Sequence, residues 1–171
     1  MKKKQGFTLI ETIVVTVILA VLLAIAVPSV MHYIDEADNA KYLAASRALA
    51  QDLKIALIKD YHSDKHDAYA ISKTLTDYNK KASDNTQVVF LSLTFNSKLS
   101  TSKIMPGTKY IISFDPTTIE SYTFYFGDPS AGNPDQMTTS EYRDALRKTV
   151  KKYAVVYPNK KIEIHNARKA A

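Results

Sequence analysis

Gly6-Phe7-Thr8-Leu9-Ile10-Glu11 stands near the start of this 171-residue chain, behind Lys2-Lys3-Lys4 and ahead of a nearly unbroken apolar run. From Ile13 to Val27 the only polar side chain is Thr16. Such a run, apolar on every side when wound as a helix, does not fit a helix half-exposed to water. Residues 7–30 at 1.5 Å each span about 36 Å, enough to cross a bilayer. Glu11 then sits at the head of a membrane-length helix, where an ionised side chain costs roughly 2.5–3.5 kcal/mol or more and is usually kept for function. A cut between Gly6 and Phe7 would place a new amino group one helical turn before that carboxylate. Buried charge is tolerated when paired. The pair could form within one helix, as i,i+4 neighbours. Formed between copies, it would be a repeatable head-to-tail contact, which builds a helical filament when its rotation does not close a ring.

The lysine-rich leader, Gly6 to Glu11, the apolar stretch Thr12 to Val27 and Pro28 together resemble the type IV prepilin family, which includes pilins, competence pilins and secretion pseudopilins. The resemblance covers roughly residues 2–36 and is silent beyond them. It implies cleavage after Gly6 by a prepilin peptidase and N-methylation of Phe7. It also implies assembly through Glu11 and the Phe7 amine of a neighbouring subunit, with a helix break at Pro28. A division follows into a leader (1–6), a transmembrane and filament-core helix (7–30) and an extracellular pilin-like domain (31–171). The implied partners are copies of the chain or related subunits, the peptidase, a membrane assembly platform and, before assembly, membrane lipid. The implied role is that of a structural subunit in adhesion or motility. Alternatives within the family are a pseudopilin of a type II-like secretion system and a competence pilin for DNA uptake. Outside it stand a secreted or membrane-anchored binding domain, a plain single-pass anchor, and a secretory signal with Ala24-Ile25-Ala26 as its cleavage site.

Charge gives the orientation. Lys2, Lys3 and Lys4 precede the apolar run, and Asp35, Glu36 and Asp38 follow it. The positive-inside rule puts the N-terminus in the cytoplasm and the remainder outside. The expected history is that of a single-pass membrane protein that becomes part of a cell-surface filament. There are no cysteines, so no disulfide staples the chain. The net charge of +6 is concentrated in residues 141–171, where nine Lys or Arg stand against three Asp or Glu.

Beyond the anchor, Tyr42, Ala45, Leu49, Leu53 and Ala56 recur at steps of three and four. That is an amphipathic stripe, and it predicts one helix continuing to about Tyr61. A short helix is expected around Ala68 to Lys81. Strands are expected at Val88 to Asn96, with Val89, Leu91, Leu93 and Phe95 on one face, at Lys109 to Phe114 and at Tyr122 to Phe126. Pro106-Gly107 and Asp115-Pro116 mark turns. Thr138-x-x-Glu141 is a capping-box pattern opening a helix with Tyr142, Leu146, Val150 and Tyr153 on its apolar side. Ala154 to Tyr157 and Ile162 to Ile164 suggest a terminal hairpin. The fold class that follows is α+β: a long N-terminal helix, its first half membrane-spanning, packed on a small antiparallel sheet in a pilin-like way.

No catalytic constellation emerges, and neither an enzyme nor a cofactor is expected. Ser100-x-x-Lys103 has no supporting motif. His62 and His66 within the cluster Asp60, His62, Asp64, His66 and Asp67 lack a recognised zinc signature. The nearest metal candidates are Asp128, Asn133 and Asp135 in the loop 128–135, whose oxygens suit calcium but which are equally ordinary turn formers. Arg143, Arg147, Lys148, Lys151 and Lys152 form a candidate contact for DNA or another polyanion, followed by Lys160, Lys161, Arg168 and Lys169. Against that stand a solvated charged face and docking onto Asp35, Glu36 and Asp38 of a neighbour.

Overall fold

The computed structural model describes residues 8–61, 68–81, 87–95, 104–108, 118–159 and 161–167. In chain order the elements are α1 (Leu9–Tyr61), α2 (Ala68–Lys81), β1 (Val88–Phe95), β2 (Ile119–Phe126), α3 (Thr139–Thr149), β3 (Lys152–Val156) and β4 (Ile162–Asn166). The chain forms two units, residues 1–40 and residues 41–171, and α1 contributes to both.

In the first unit α1 is exposed along its apolar length, from Leu9 through Val30 to Ile34. It is the one helix among the described residues long and apolar enough to cross a membrane. Pro28 lies inside α1 and does not end it. Proline removes one hydrogen bond and crowds the preceding turn, and the helix absorbs both here.

In the second unit α1 buries one stripe and exposes the opposite face. Tyr42, Ala45, Ser46, Leu49, Leu53 and Leu57 are buried, and Ser46 donates its hydroxyl to the Tyr42 carbonyl at 2.6 Å. The stripe ends on Leu57, whereas the spacing pointed to Ala56, which is half-buried. A leucine buries more apolar area than an alanine one residue away, so packing favours it. The stripe faces a four-stranded antiparallel meander ordered β1-β2-β3-β4. Leu91, Leu93, Phe95, Phe124, Phe126, Ala154 and Val156 supply its side of the core. Tyr42 meets Phe126 with ring centroids 5.0 Å apart. This is the α+β, pilin-like arrangement that the sequence implies, with the terminal hairpin joined to β1 and β2 in one sheet.

The expected single face of β1 is broken by a register shift between Val88 and Phe90. An extra residue in one strand reverses the alternation beyond it. Val89 therefore leaves the face of Leu91, Leu93 and Phe95 and joins a second cluster with Phe90, Met105, Tyr142 and Leu146. That cluster is closed by α3, which begins at the expected capping box. Thr138 Oγ1 accepts the Glu141 N–H at 3.4 Å, and Glu141 Oε2 accepts from Thr138 N–H and Oγ1 at 3.0 and 2.8 Å. The helix ends at Thr149, with Val150 as its cap. Tyr153 thus lies on β3 rather than on the helix. It stacks between Tyr125, at 5.6 Å, and His165, at 4.9 Å.

Side chains tie the remaining pieces together. Asn79 on α2 donates to the Val88 carbonyl (2.8 Å) and accepts from its N–H (3.0 Å). Ser72 donates to the Met105 carbonyl at 2.9 Å, and Tyr142 to that of Pro106 at 3.3 Å. Ile104 and Leu91 exchange two backbone bonds of 2.9 Å. The expected Pro106-Gly107 turn is present, and Gly107 has φ +77°, a left-handed value that glycine adopts without strain. The expected strand Lys109 to Phe114 and the Asp115-Pro116 turn lie outside the described residues.

Leu53→Ala, which opens a cavity under the sheet, is expected to cost about 2–5 kcal/mol of unfolding free energy. Lys54→Ala, on the exposed face, should change it by less than about 0.5 kcal/mol. Urea unfolding of the detergent-solubilised chain checks both. The cap adds a pH dependence. Hydrogen bonds from the Thr138 N–H and hydroxyl hold the Glu141 carboxyl below the usual range. A carboxyl depressed in the folded state contributes stability that is complete above its unfolded value, about 4.3, and is lost as pH falls through the folded value. Thr138→Ala should cost about 1 kcal/mol at neutral pH. It should also flatten the acid limb of a plot of unfolding midpoint against pH.

Candidate functional site

The head of α1 is held by a second capping box. Leu9 opens the helix, so Thr8 stands at the cap and Glu11 at its third position. Glu11 Oε2 accepts from the Thr8 N–H and from Thr8 Oγ1, both at 3.2 Å, and Glu11 N–H donates to Thr8 Oγ1 at 3.4 Å. The carboxylate is thereby folded back over the first turn, where the positive end of the helix dipole favours it. Gly6 and Phe7 lie outside the described residues. Two further threonines spend their hydroxyl protons on their own helix. Thr12 donates to the Thr8 carbonyl at 3.4 Å, and Thr16 reaches the carbonyls of Thr12 (3.0 Å) and Ile13 (2.8 Å). After Ile34 the helix turns polar at Asp35, Glu36 and Asp38, and His32 Nδ1 lies 3.9 Å from Glu36 Oε1.

Arg143, Arg147, Lys148 and Lys151 are exposed. Arg143 and Arg147 share a helix face by their i,i+4 spacing, while Asp144 lies between Arg147 and Lys148 around α3. Lys152 is half-buried, with Nζ 5.5 Å from the ring centroid of Tyr42, and so belongs to the contact between β3 and α1. Lys161 pairs with Glu163 at 2.7 Å; this raises the lysine and lowers the carboxyl from their ordinary values. Lys160, Arg168 and Lys169 lie outside the described residues.

The loop 128–135 uses its oxygens on itself. Asp128 Oδ1 accepts from Ser130 N–H at 2.9 Å and Ser130 Oγ at 2.6 Å, which holds its carboxyl below the usual range. Asn133 Oδ1 accepts the Asp135 N–H at 3.0 Å. Among the described residues no three His, Cys, Asp or Glu side chains come together as a metal site. The His62 and His66 cluster and the Ser100-x-x-Lys103 fragment lie outside them.

Residues 1–27 match the family model described as the prokaryotic N-terminal methylation motif. The N-terminus carries the type IV prepilin signature. Neither the curated proteins nor the solved structures that were compared gave a match. The signature covers Gly6, Phe7, Glu11 and most of the apolar helix, and it stops one residue before Pro28.

Thr8-x-x-Glu11 at the head of this prepilin-type helix has the same capping-box spacing as Thr138-x-x-Glu141, a signal present in the residues alone. Because Asp128 and Asn133 already close their own turns, chelation of divalent cations is expected to leave the thermal unfolding midpoint unchanged. A rise of several degrees on adding calcium would instead assign the loop a cation.

Proposed function

We propose that this chain is a structural subunit of a type IV pilus-like extracellular filament, serving adhesion or motility. The observation that carries the proposal is a coincidence of place. The methylation motif matches residues 1–27, of which Leu9 to Val27 lie on the part of α1 whose large apolar side chains are exposed, and Glu11 stands capped at its first turn.

The proposed course begins with insertion, the N-terminus cytoplasmic and residues 31–171 outside. Prepilin peptidase removes residues 1–6 and the Phe7 amine is methylated. A membrane assembly platform then moves the helix of residues 7–30 from lipid into the filament core. Both surroundings are apolar, so the transfer changes little hydrophobic free energy. Glu11 pairs with the Phe7 amine of a neighbouring subunit and sets the axial register. Pro28 is the place where the helix, short of one hydrogen bond, can lengthen under filament packing.

Intact-mass spectrometry of membrane and sheared surface fractions tests this reading. The expected mass is that of the chain lacking Met1 to Gly6 and carrying one added methyl, present in both fractions. An uncut chain, or one beginning at Val27, would return the protein to the anchor or secreted-domain readings. Glu11→Ala should still insert and be cut, yet be lost from the sheared fraction; abundant normal filaments from it would remove the assembly role of Glu11.

A further inference from the structure

We propose that β4 is an interaction edge for a second copy of this chain: two copies pair antiparallel through Ile162–Asn166 and join their four-stranded sheets into one. The contact involves no residue of α1 and does not depend on the filament reading.

β4 lies at one margin of the sheet, paired with β3 alone. Tyr157 N–H donates to the Lys161 carbonyl and Ala167 N–H to the Lys151 carbonyl, both at 2.9 Å. Lys161 and Ala167 thus turn backbone groups toward β3, and by antiparallel alternation so do Glu163 and His165. The N–H and C=O groups of Ile162, Ile164 and Asn166 point the other way and have no partner among the described residues. Such a row is a template for another strand. At the opposite margin, β1 already exchanges two backbone bonds with Ile104.

The side chains select the partner. Ile162 and Ile164 pack against the main core yet stay only half-buried. A strand laid beside them removes further apolar surface from water. Glu163 and His165 occupy the other face, with side chains 34% and 42% exposed. One antiparallel register overlaps two copies of β4 in full. It sets Ile164 opposite Ile164 of the second copy and Ile162 opposite Asn166. It also sets Glu163 opposite His165 of the second copy, twice over. An imidazole N–H donates to a carboxylate whether or not the ring is charged. Within one copy Glu163 already draws such donors: Lys161 Nζ lies 2.7 Å from Oε1 and His165 Nε2 3.6 Å from Oε2. A slip of two residues either way would set Glu163 opposite Glu163 or His165 opposite His165, and like charges directly opposite are destabilising. β4 is thus complementary to itself, as a twofold contact requires.

The test uses thiols. The chain has no cysteine, so introduced ones report this contact alone. Full-length Glu163→Cys and His165→Cys chains are co-expressed, membrane fractions are oxidised with copper phenanthroline, and intact mass separates the mixed dimer from the two identical ones. In the proposed register the cysteines of a mixed pair face each other with Cα atoms about 4.5 Å apart, within disulfide reach. The remaining Glu163 and His165 of that pair keep their own contact. Two identical variants hold their cysteines two residues out of step, about 8 Å apart and beyond that reach. The mixed dimer is therefore expected to exceed each identical dimer about tenfold, against about twofold for random collision. Ile162→Cys with Asn166→Cys reports the same register from the other face of the sheet and should show the same preference. Urea unfolding of each variant confirms that it is folded. A random ratio from both pairs, or no cross-linked dimer from folded chains, would overturn the proposal. Lys161, Glu163 and His165 would then be charges that keep a sheet edge in water.

Discussion

A helix that is apolar on every side cannot be left in water, and that requirement governs α1 from Leu9 to Ile34. The large side chains there, Ile13, Val17, Leu22 and Ile25 among them, are all at least half exposed. At roughly 25 cal/mol for each Å² of apolar surface, such a helix demands lipid or other apolar helices around it. Beyond Asp35, Glu36 and Asp38 the demand changes in kind. From Tyr42 to Leu57 one stripe is apolar, and the face opposite carries Arg47, Gln51, Asp52 and Lys54. One helix thus answers two solvents.

The sheet is the answer to that stripe. β1, β2 and β3 turn Leu91, Phe124 and Ala154 toward it, and β4 closes the meander. The register shift at Val88/Phe90 gives β1 apolar residues on both faces, and so the outer face needs a cover of its own. α3 provides it with Tyr142 and Leu146. Close approach is part of that cover: a Cβ on Gly132 would come within 2.6 Å of the Tyr142 ring. The loop 128–135 is thus folded by contact with α3 and by its own Asp128 and Asn133 turns.

Much of this was legible in the residues, for identifiable reasons. Long periodic patterns survive context, so α1, α2 and the start of α3 lay where spacing and capping put them. Position along a strand depends on partners far away in sequence, so local spacing does not fix it. Nothing local marks the bulge that moved Val89 to the second cluster. Tyr153 fitted the helical spacing of α3 but was claimed by pairing with Tyr125. Lys152 counted as one more positive charge until β3 brought it to the Tyr42 ring. The site at the head of α1 was half legible. Its residues could be named from Gly6 to Glu11, while the hydrogen bonds that orient the carboxylate needed the folded first turn.

The apolar character of α1 also limits what it can specify. Lipid tails and neighbouring apolar helices are nearly equivalent surroundings for leucine, isoleucine and valine, so these side chains favour removal from water without choosing a register. The proposed filament needs a register, and polar groups must supply it. Between Leu9 and Val30 the only polar side chains are Glu11, Thr12, Thr16 and Ser29, with Thr8 at the cap. Thr12 and Thr16 are turned inward on their own carbonyls, and Ser29 lies far from the head of the helix. Glu11 alone among them carries charge, and in apolar surroundings the energy of a charge depends steeply on how near its partner lies. A shift of one helical turn would leave the apolar packing almost unchanged and would separate Glu11 from the neighbouring amine with which we propose it pairs. In the filament we propose, register is therefore the property that Glu11 is best placed to govern, with the apolar helix supplying the surroundings that make its governance strict.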